Sequence, residues 1–131
     1  MSHAIVSAAL ATVLDTLDVP TAFENADFVP PAGVPYLSES LLPSGTVPLG
    51  VSSSSSDLFE GIYQVLAHAP AGAGKGAAFA LAQQVLDLFP RGLRTTFSGS
   101  TVTIRRAEQN AAFKSGDRFV VPVSIYYRLA A

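Results

Sequence analysis

Between Leu58 and Phe89 the chain commits to a strand, a reversal and a helix, and this stretch limits what the remainder can fold into. Phe59, Gly61, Tyr63, Val65 and Ala67 alternate with Glu60, Gln64 and His68. That period of two is what an extended backbone imposes on a half-buried strand. Ile62 and Leu66 make the strand's second side mixed. After Pro70 the run Ala71-Gly72-Ala73-Gly74-Lys75-Gly76 opens positive φ to the backbone and predicts a reversal. From Ala77 to Phe89 the apolar residues Ala78, Leu81, Ala82, Val85, Leu88 and Phe89 recur at i, i+3, i+4 and i+7. One stripe of a helix can therefore lie on the strand's apolar side. Pro90 and Gly92 stop it.

A glycine-rich turn between a strand and a helix raises nucleotide binding, and the residues argue against it. A phosphate loop of the form Gly-x-x-x-x-Gly-Lys-[Ser/Thr] needs glycines so that amides can approach phosphate, a lysine to neutralise it, and a hydroxyl for magnesium. Here the position five before Gly74 is Ala69, and Gly76 follows Lys75, so the metal's hydroxyl ligand is missing. The dinucleotide pattern fails too, because Gly72 and Gly74 are followed by Gly76 rather than by a glycine three residues on. The turn is read as a flexible connection.

The earlier part of the chain predicts a helix over Ser2 to Leu17, with Val6, Leu10, Val13, Leu14 and Leu17 on its apolar stripe and Ser2 as N-cap. His3 falls in the first turn and is expected to be solvated. Thr21 to Pro35 reads as a short extended piece and a proline-rich crossing, anchored by Phe23 and Phe28, because prolines cannot donate within an interior ladder. Tyr36 to Leu42 is the next strand, closed by Pro43-Ser44-Gly45. Thr46 to Ser56 holds five consecutive serines and little apolar surface to offset ordering. Two readings stand for it: a mobile loop, or a loop that orders only against a neighbour.

Leu93 to Phe97 and Thr101 to Arg106 flank Ser98-Gly99-Ser100 and predict a hairpin. Glu108 to Gly116 reads as a polar loop around Phe113. From Asp117 to Arg128 the set Phe119, Val121, Val123, Ile125 and Tyr127 alternates with Val120, Pro122, Ser124, Tyr126 and Arg128, the strongest period-two pattern in the chain. Pro122 predicts that this strand lies at a sheet edge or is bulged there. A long apolar edge calls for a cover, and a neighbouring subunit is one. The fold class is α+β, a mainly antiparallel sheet with two helices packed on one face, in a single domain of 131 residues.

Only 14% of the residues are charged against 49% hydrophobic, leaner than the roughly one-quarter charged of ordinary soluble domains, so part of the surface is expected to meet protein. A net charge of −2 gives no reason to expect sequence-specific nucleic acid binding. Arg105 and Arg106, with Arg91 and Arg94 nearby in sequence, read as a solvated or subunit-facing edge. No apolar run reaches membrane-spanning length and no signal peptide is evident, so a soluble protein of cytosolic origin is expected. With no cysteine and two histidines, His3 and His68, neither a thiolate nor a multi-histidine metal site can be built. Residue types alone permit a Ser-His-Asp set through His68, but no nucleophile-elbow sequence supports one. Glu24, Asp27, Glu39, Asp57 and Glu60 sit among turn or solvent-side residues, where solvated carboxylates are the rule. No catalytic, cofactor or metal residue is assigned. The candidate contact residues are Val120, Tyr126 and Arg128 on the outward side of the C-terminal strand, Arg105 in the hairpin, and Ser54 in the serine run.

Several stretches, in order, resemble one family. Phe23-Glu24-Asn25-Ala26-Asp27-Phe28-Val29-Pro30-Pro31, Pro35-Tyr36-Leu37, Leu41-Leu42-Pro43, Gly61-Ile62-Tyr63-Gln64-Val65, Ala69-Pro70-Ala71-Gly72 and Val121-Pro122-Val123-Ser124-Ile125-Tyr126-Tyr127-Arg128 are similar to segments of the tail terminator, or tail completion, proteins of long-tailed phages. The resemblance implies an α+β subunit of a hexameric ring that caps the tail tube, ends its polymerisation and meets the head-tail connector at the head-proximal end of the tail. Its implied partners are further copies, the tube protein and the connector, with no membrane and no cofactor. Where the family is often more basic, at the start of the central strand, this chain has Ser52 to Ser56, Leu58 and Phe59, which leaves the charge of a ring lumen open. The other readings are a head completion or connector protein and, from a different class, a small-ligand-binding α+β module.

Overall fold

The computed structural model describes residues 3–24, 26, 28–30, 33–48, 57–72 and 74–130. Among these residues two helices and seven strands follow one another as α1 (His3–Asp15), β1 (Thr21–Ala22), β2 (Tyr36–Pro48), β3 (Asp57–Pro70), α2 (Gly76–Leu88), β4 (Arg94–Phe97), β5 (Ser100–Gln109), β6 (Phe113–Ser115) and β7 (Arg118–Ala130). The fold is α+β and mainly sheet. All strands join one sheet in the order β1-β2-β3-β7-β5-β4, and β6 pairs with β7. Among the described residues, only the short β1–β2 contact is parallel.

The alternation predicted for β3 sorts its residues as expected. Tyr63, Val65, Ala67 and Ala69 are fully buried and lie in one hydrophobic cluster with Val121, Val123, Ile125, Tyr127 and Leu129 of β7. Val6, Ala9, Leu10 and Leu14 of α1 and Ala78, Leu81, Ala82 and Val85 of α2 belong to the same cluster. The glycine turn before α2 uses positive φ at Gly72 and Gly74. The predicted hairpin is tighter than expected, because Phe97 pairs with Ser100 and leaves only Ser98 and Gly99 in the turn. Both have positive φ, 54° and 81°, which matches the right-handed twist of the flanking strands.

Four expectations are corrected. The C-terminal strand is interior, with β3 along one side and β5 and β6 along the other. Pro122 is accommodated without an edge position, because β5 stops pairing at Gln109 and β6 begins at Phe113. The Pro122 carbonyl accepts from the Asn110 amide at 2.9 Å, so its missing N–H faces the gap between the two shorter strands. Second, Pro43-Ser44-Gly45 does not end β2. The register steps from Pro43↔Gly61 to Gly45↔Glu60, leaving Ser44 as the extra residue of a bulge, and the strand continues to Pro48. Third, Glu108 and Gln109 prolong β5, and Phe113 to Ser115 form β6, where a polar loop was expected.

The fourth correction is His3, which is half-buried and packed rather than freely solvated. Its Nδ1 shares a 2.7 Å hydrogen bond with the Tyr127 hydroxyl, and its ring meets Phe59 edge-on at 5.2 Å. The Tyr127 ring lies over Gly61, where any Cβ would sit 2.5 Å from the Tyr127 hydroxyl oxygen and 2.7 Å from the Leu42 carbonyl oxygen. An aromatic ring thus occupies the space that a glycine leaves in the neighbouring strand. The serine run from Ser52 to Ser56 lies outside the described residues.

Candidate functional site

The strands also have a second face, turned away from that cluster. Cross-strand register aligns Glu60 with Arg128, Ile62 with Tyr126, Gln64 with Ser124 and His68 with Val120. On β5 the register steps from Ile104↔Tyr127 to Arg106↔Tyr126, so Arg105 is the extra residue of a second bulge. That bulge re-aims Arg105 to Glu60, with Arg105 Nη1 2.9 Å from Glu60 Oε2. The Arg106 guanidinium stacks 4.1 Å above the Tyr126 ring, and the Tyr126 hydroxyl donates to Glu108 Oε1 at 2.8 Å. Arg105, Arg106 and Tyr126 line a depression of about 330 Å³. Ser124 Oγ donates to Asn110 Oδ1, which holds the loop after β5 against β7.

A second polar group lies at the β2 end of the same face. Tyr36 and His68 stack at 4.3 Å with their planes 2° apart, and Ser38 Oγ is 2.8 Å from His68 Nε2. Arg118 caps the stack from 4.9 Å over Tyr36 while donating to the Val34 carbonyl at 2.8 Å. Burial, and then the nearby Arg118 charge, lower the His68 pKa below its ordinary value, so this imidazole is neutral near pH 7. In the interior, burial pushes the Tyr127 phenol up to about 12. Burial, with the Glu39 carboxylate adding to it, raises Tyr63 still further. Glu39 Oε2 and the Tyr63 hydroxyl are both buried, and neither makes a hydrogen bond of good geometry.

The contact residues read from the sequence divide accordingly. Tyr126, Arg128 and Arg105 come together on the second face, with Arg128 exposed and Tyr126 half-buried. Val120 is on that face but is fully buried within its own chain, between His68 and Phe113 of the adjacent strands, so it packs rather than presents. Ser54 lies outside the described residues. The stack of Arg118, Tyr36 and His68 escaped the sequence reading, since nothing in the spacing of residues 36, 68 and 118 marks them as neighbours. Among the described residues, no group of three or more His, Cys, Asp or Glu could hold a metal ion, and no helix is long and apolar enough to cross a membrane.

The site is thus one face of a mainly antiparallel sheet on which Arg105, Arg106 and Arg128 surround Tyr126. The chain matches the family described as phage tail terminator protein over residues 3–127. It belongs to that family of phage structural proteins. None of the curated proteins matches it. One solved chain, which carries no descriptive name, is 26% identical with a TM-score of 0.80, covering 98% of this chain and 96% of its own. A chain from the virion of a native gene transfer agent particle is 19% identical with a TM-score of 0.61, covering 99% of this chain and 100% of its own, a likeness of fold.

Proposed function

We infer that this protein is a tail terminator that closes into a ring of six copies on the head-proximal end of the tail tube. It ends tube polymerisation there and offers its other rim to the head-tail connector. The observation that carries the reading is the family match, which spans residues 3–127 and so takes in β1 to β6 whole and β7 up to Tyr127. The architecture is compatible with it. One domain supplies one sheet and one core, and both helices contribute to the cluster behind β3 and β7, so they are read as packed on a single face. The second face, with Tyr126, Arg105, Arg106 and Arg128, is left for neighbours. Tyrosine and arginine combine large contact area with directional hydrogen bonding, which is why they dominate interface energetics. The role is one of contact and needs no catalytic group.

Native mass spectrometry and tube assembly test this together. A six-membered species that shortens or halts the growth of purified tube protein is expected. A twelve-membered ring would point to a connector, and a monomer that binds a metabolite to a ligand module; either result overturns the terminator reading.

A further inference from the structure

The charges of this chain are divided along its length. Residues 1–74 contain seven carboxylates, Asp15, Asp18, Glu24, Asp27, Glu39, Asp57 and Glu60, and no lysine or arginine. All eight cationic residues follow, from Lys75 to Arg128, with only Asp87, Glu108 and Asp117 among them. A modest net charge of −2 hides this separation.

The sheet turns the division in sequence into a division in space. Strands β1 and β2 come from the acidic part and stand at one end of the strand order; β5 and β4 come from the basic part and stand at the other. At the β1 end, Asp18 is exposed three residues before β1, and Asp15, also exposed, is the last residue of α1 three residues earlier. Glu24 follows β1 and is tied to β2 through the Leu41 amide at 3.0 Å. At the other end Arg91 and Arg94 are exposed beside and within β4, and Arg94 pairs with Thr103, which pairs in turn with Arg128. Arg105 and Arg106 lie next to them on β5. Among the described residues a single ion pair, Arg105 to Glu60, joins acidic and basic parts. Among the described residues, none is an ionic partner of Arg91, Arg94, Asp15 or Asp18.

We propose that the acidic β1–β2 edge of one subunit docks on the basic β4–β5 edge of the next, so that charge complementarity sets the head-to-tail contact between copies. The occupant follows from the arrangement. Opposite signs on the two ends of one sheet are complementary to a second copy of the same chain. A two-fold contact would have to bring both ends into one patch, whereas a head-to-tail contact matches unlike ends at every junction and closes into a ring when the rotation permits. Steering by such patches speeds docking and disfavours the wrong register. The inference rests on the ring reading given above and assigns its subunit contact.

Charge reversal tests the pairing. Arg91→Glu/Arg94→Glu changes the basic edge. Asp15→Lys/Asp18→Asn changes the acidic one, asparagine being chosen because residue 18 has a φ of 55°, which Asn tolerates. Each pair is expected to raise the dissociation constant of self-assembly by about tenfold or more in analytical ultracentrifugation, and a chain carrying both pairs to recover to within about threefold of the parent. Circular dichroism checks the fold. Should a reversed chain not fold, Arg91→Gln/Arg94→Gln and Asp15→Asn/Asp18→Asn test the same edges without introducing a new charge, each with a several-fold loss expected. A parent that assembles while all these variants assemble like it, or a doubly reversed chain that stays as weak as either single reversal, overturns the contact and leaves the ring intact. A parent that remains monomeric up to about 1 mM overturns the ring reading as well.

Discussion

Gly61 is the residue at which backbone and side-chain requirements meet most tightly. Its neighbour Tyr127 lies where a Cβ would be, and the Leu42 carbonyl closes the remaining space. Gly61→Ala is therefore expected to cost about 1–3 kcal/mol through overpacking, read as a lower urea midpoint, even though alanine is ordinarily the better strand residue. His68 makes a different prediction. Its folded pKa is lowered from 6.5, first by burial and then by Arg118, so the unfolded chain takes up a proton before the folded one does. Stability should hold above pH 6.5 and decline as pH falls from there through the folded pKa. Urea titrations at stepped pH, compared with those of His68→Gln, check this; the slope in that window should flatten in the variant. If parent and variant have the same slope, the imidazole is not the group responsible. The buried Tyr63 hydroxyl, held beside Glu39, remains protonated across this range and adds no slope of its own.

The elements show which parts of the fold were legible beforehand. The alternation in β3 and β7 gave both strands and their inward sets, because a period of two is a local property that tertiary contacts cannot disguise. Val123→Asp follows from it: a carboxylate at a fully buried position, without a partner, should cost on the order of 4 kcal/mol or more and unfold the subunit. Loss of the far-ultraviolet dichroism signal at 25 °C is the expected result. Strand order was not legible in the same way. Pro122 excludes a hydrogen bond on one side of one residue, which requires neither the edge position nor the bulge that the sequence suggests. The gap between Gln109 and Phe113 meets the requirement with two short strands in place of an edge. The bulges at Ser44 and Arg105 were hidden as well, since an extra residue in one strand is defined only by its partner. Of the candidate contact residues, Tyr126, Arg128 and Arg105, picked by type and outward phase, do share the second face. Val120 shared that phase but is buried, because phase reports the face and not what covers it.

For the molecule as a whole, assembly and folding should separate under mutation. Tyr126→Ala and Arg128→Glu remove groups from the second face while leaving the cluster behind β7 untouched, so sedimentation should show weaker association with unchanged dichroism. If both variants associate like the parent, that face is free in the assembled state. Raising salt from low to about 0.5 M should weaken association too, since exposed charges interact only within a Debye length that shrinks with ionic strength. The pairing of β3 with β7 also governs the order in which the chain can be built. Leu58 is matched to Ala130 and Pro70 to Arg118, so β3 emerges from the ribosome well before the strand that completes its second edge. At roughly 5–20 residues per second, it waits some seconds with Tyr63 and Val65 uncovered on one side. A chain cut short before Arg118 would lack the strand between β3 and β5, leaving the two edges that a ring neighbour would need on unconnected halves. Translation itself would then act as the inspector, admitting only chains read through the final strand to a structure in which one defective copy would spoil the whole.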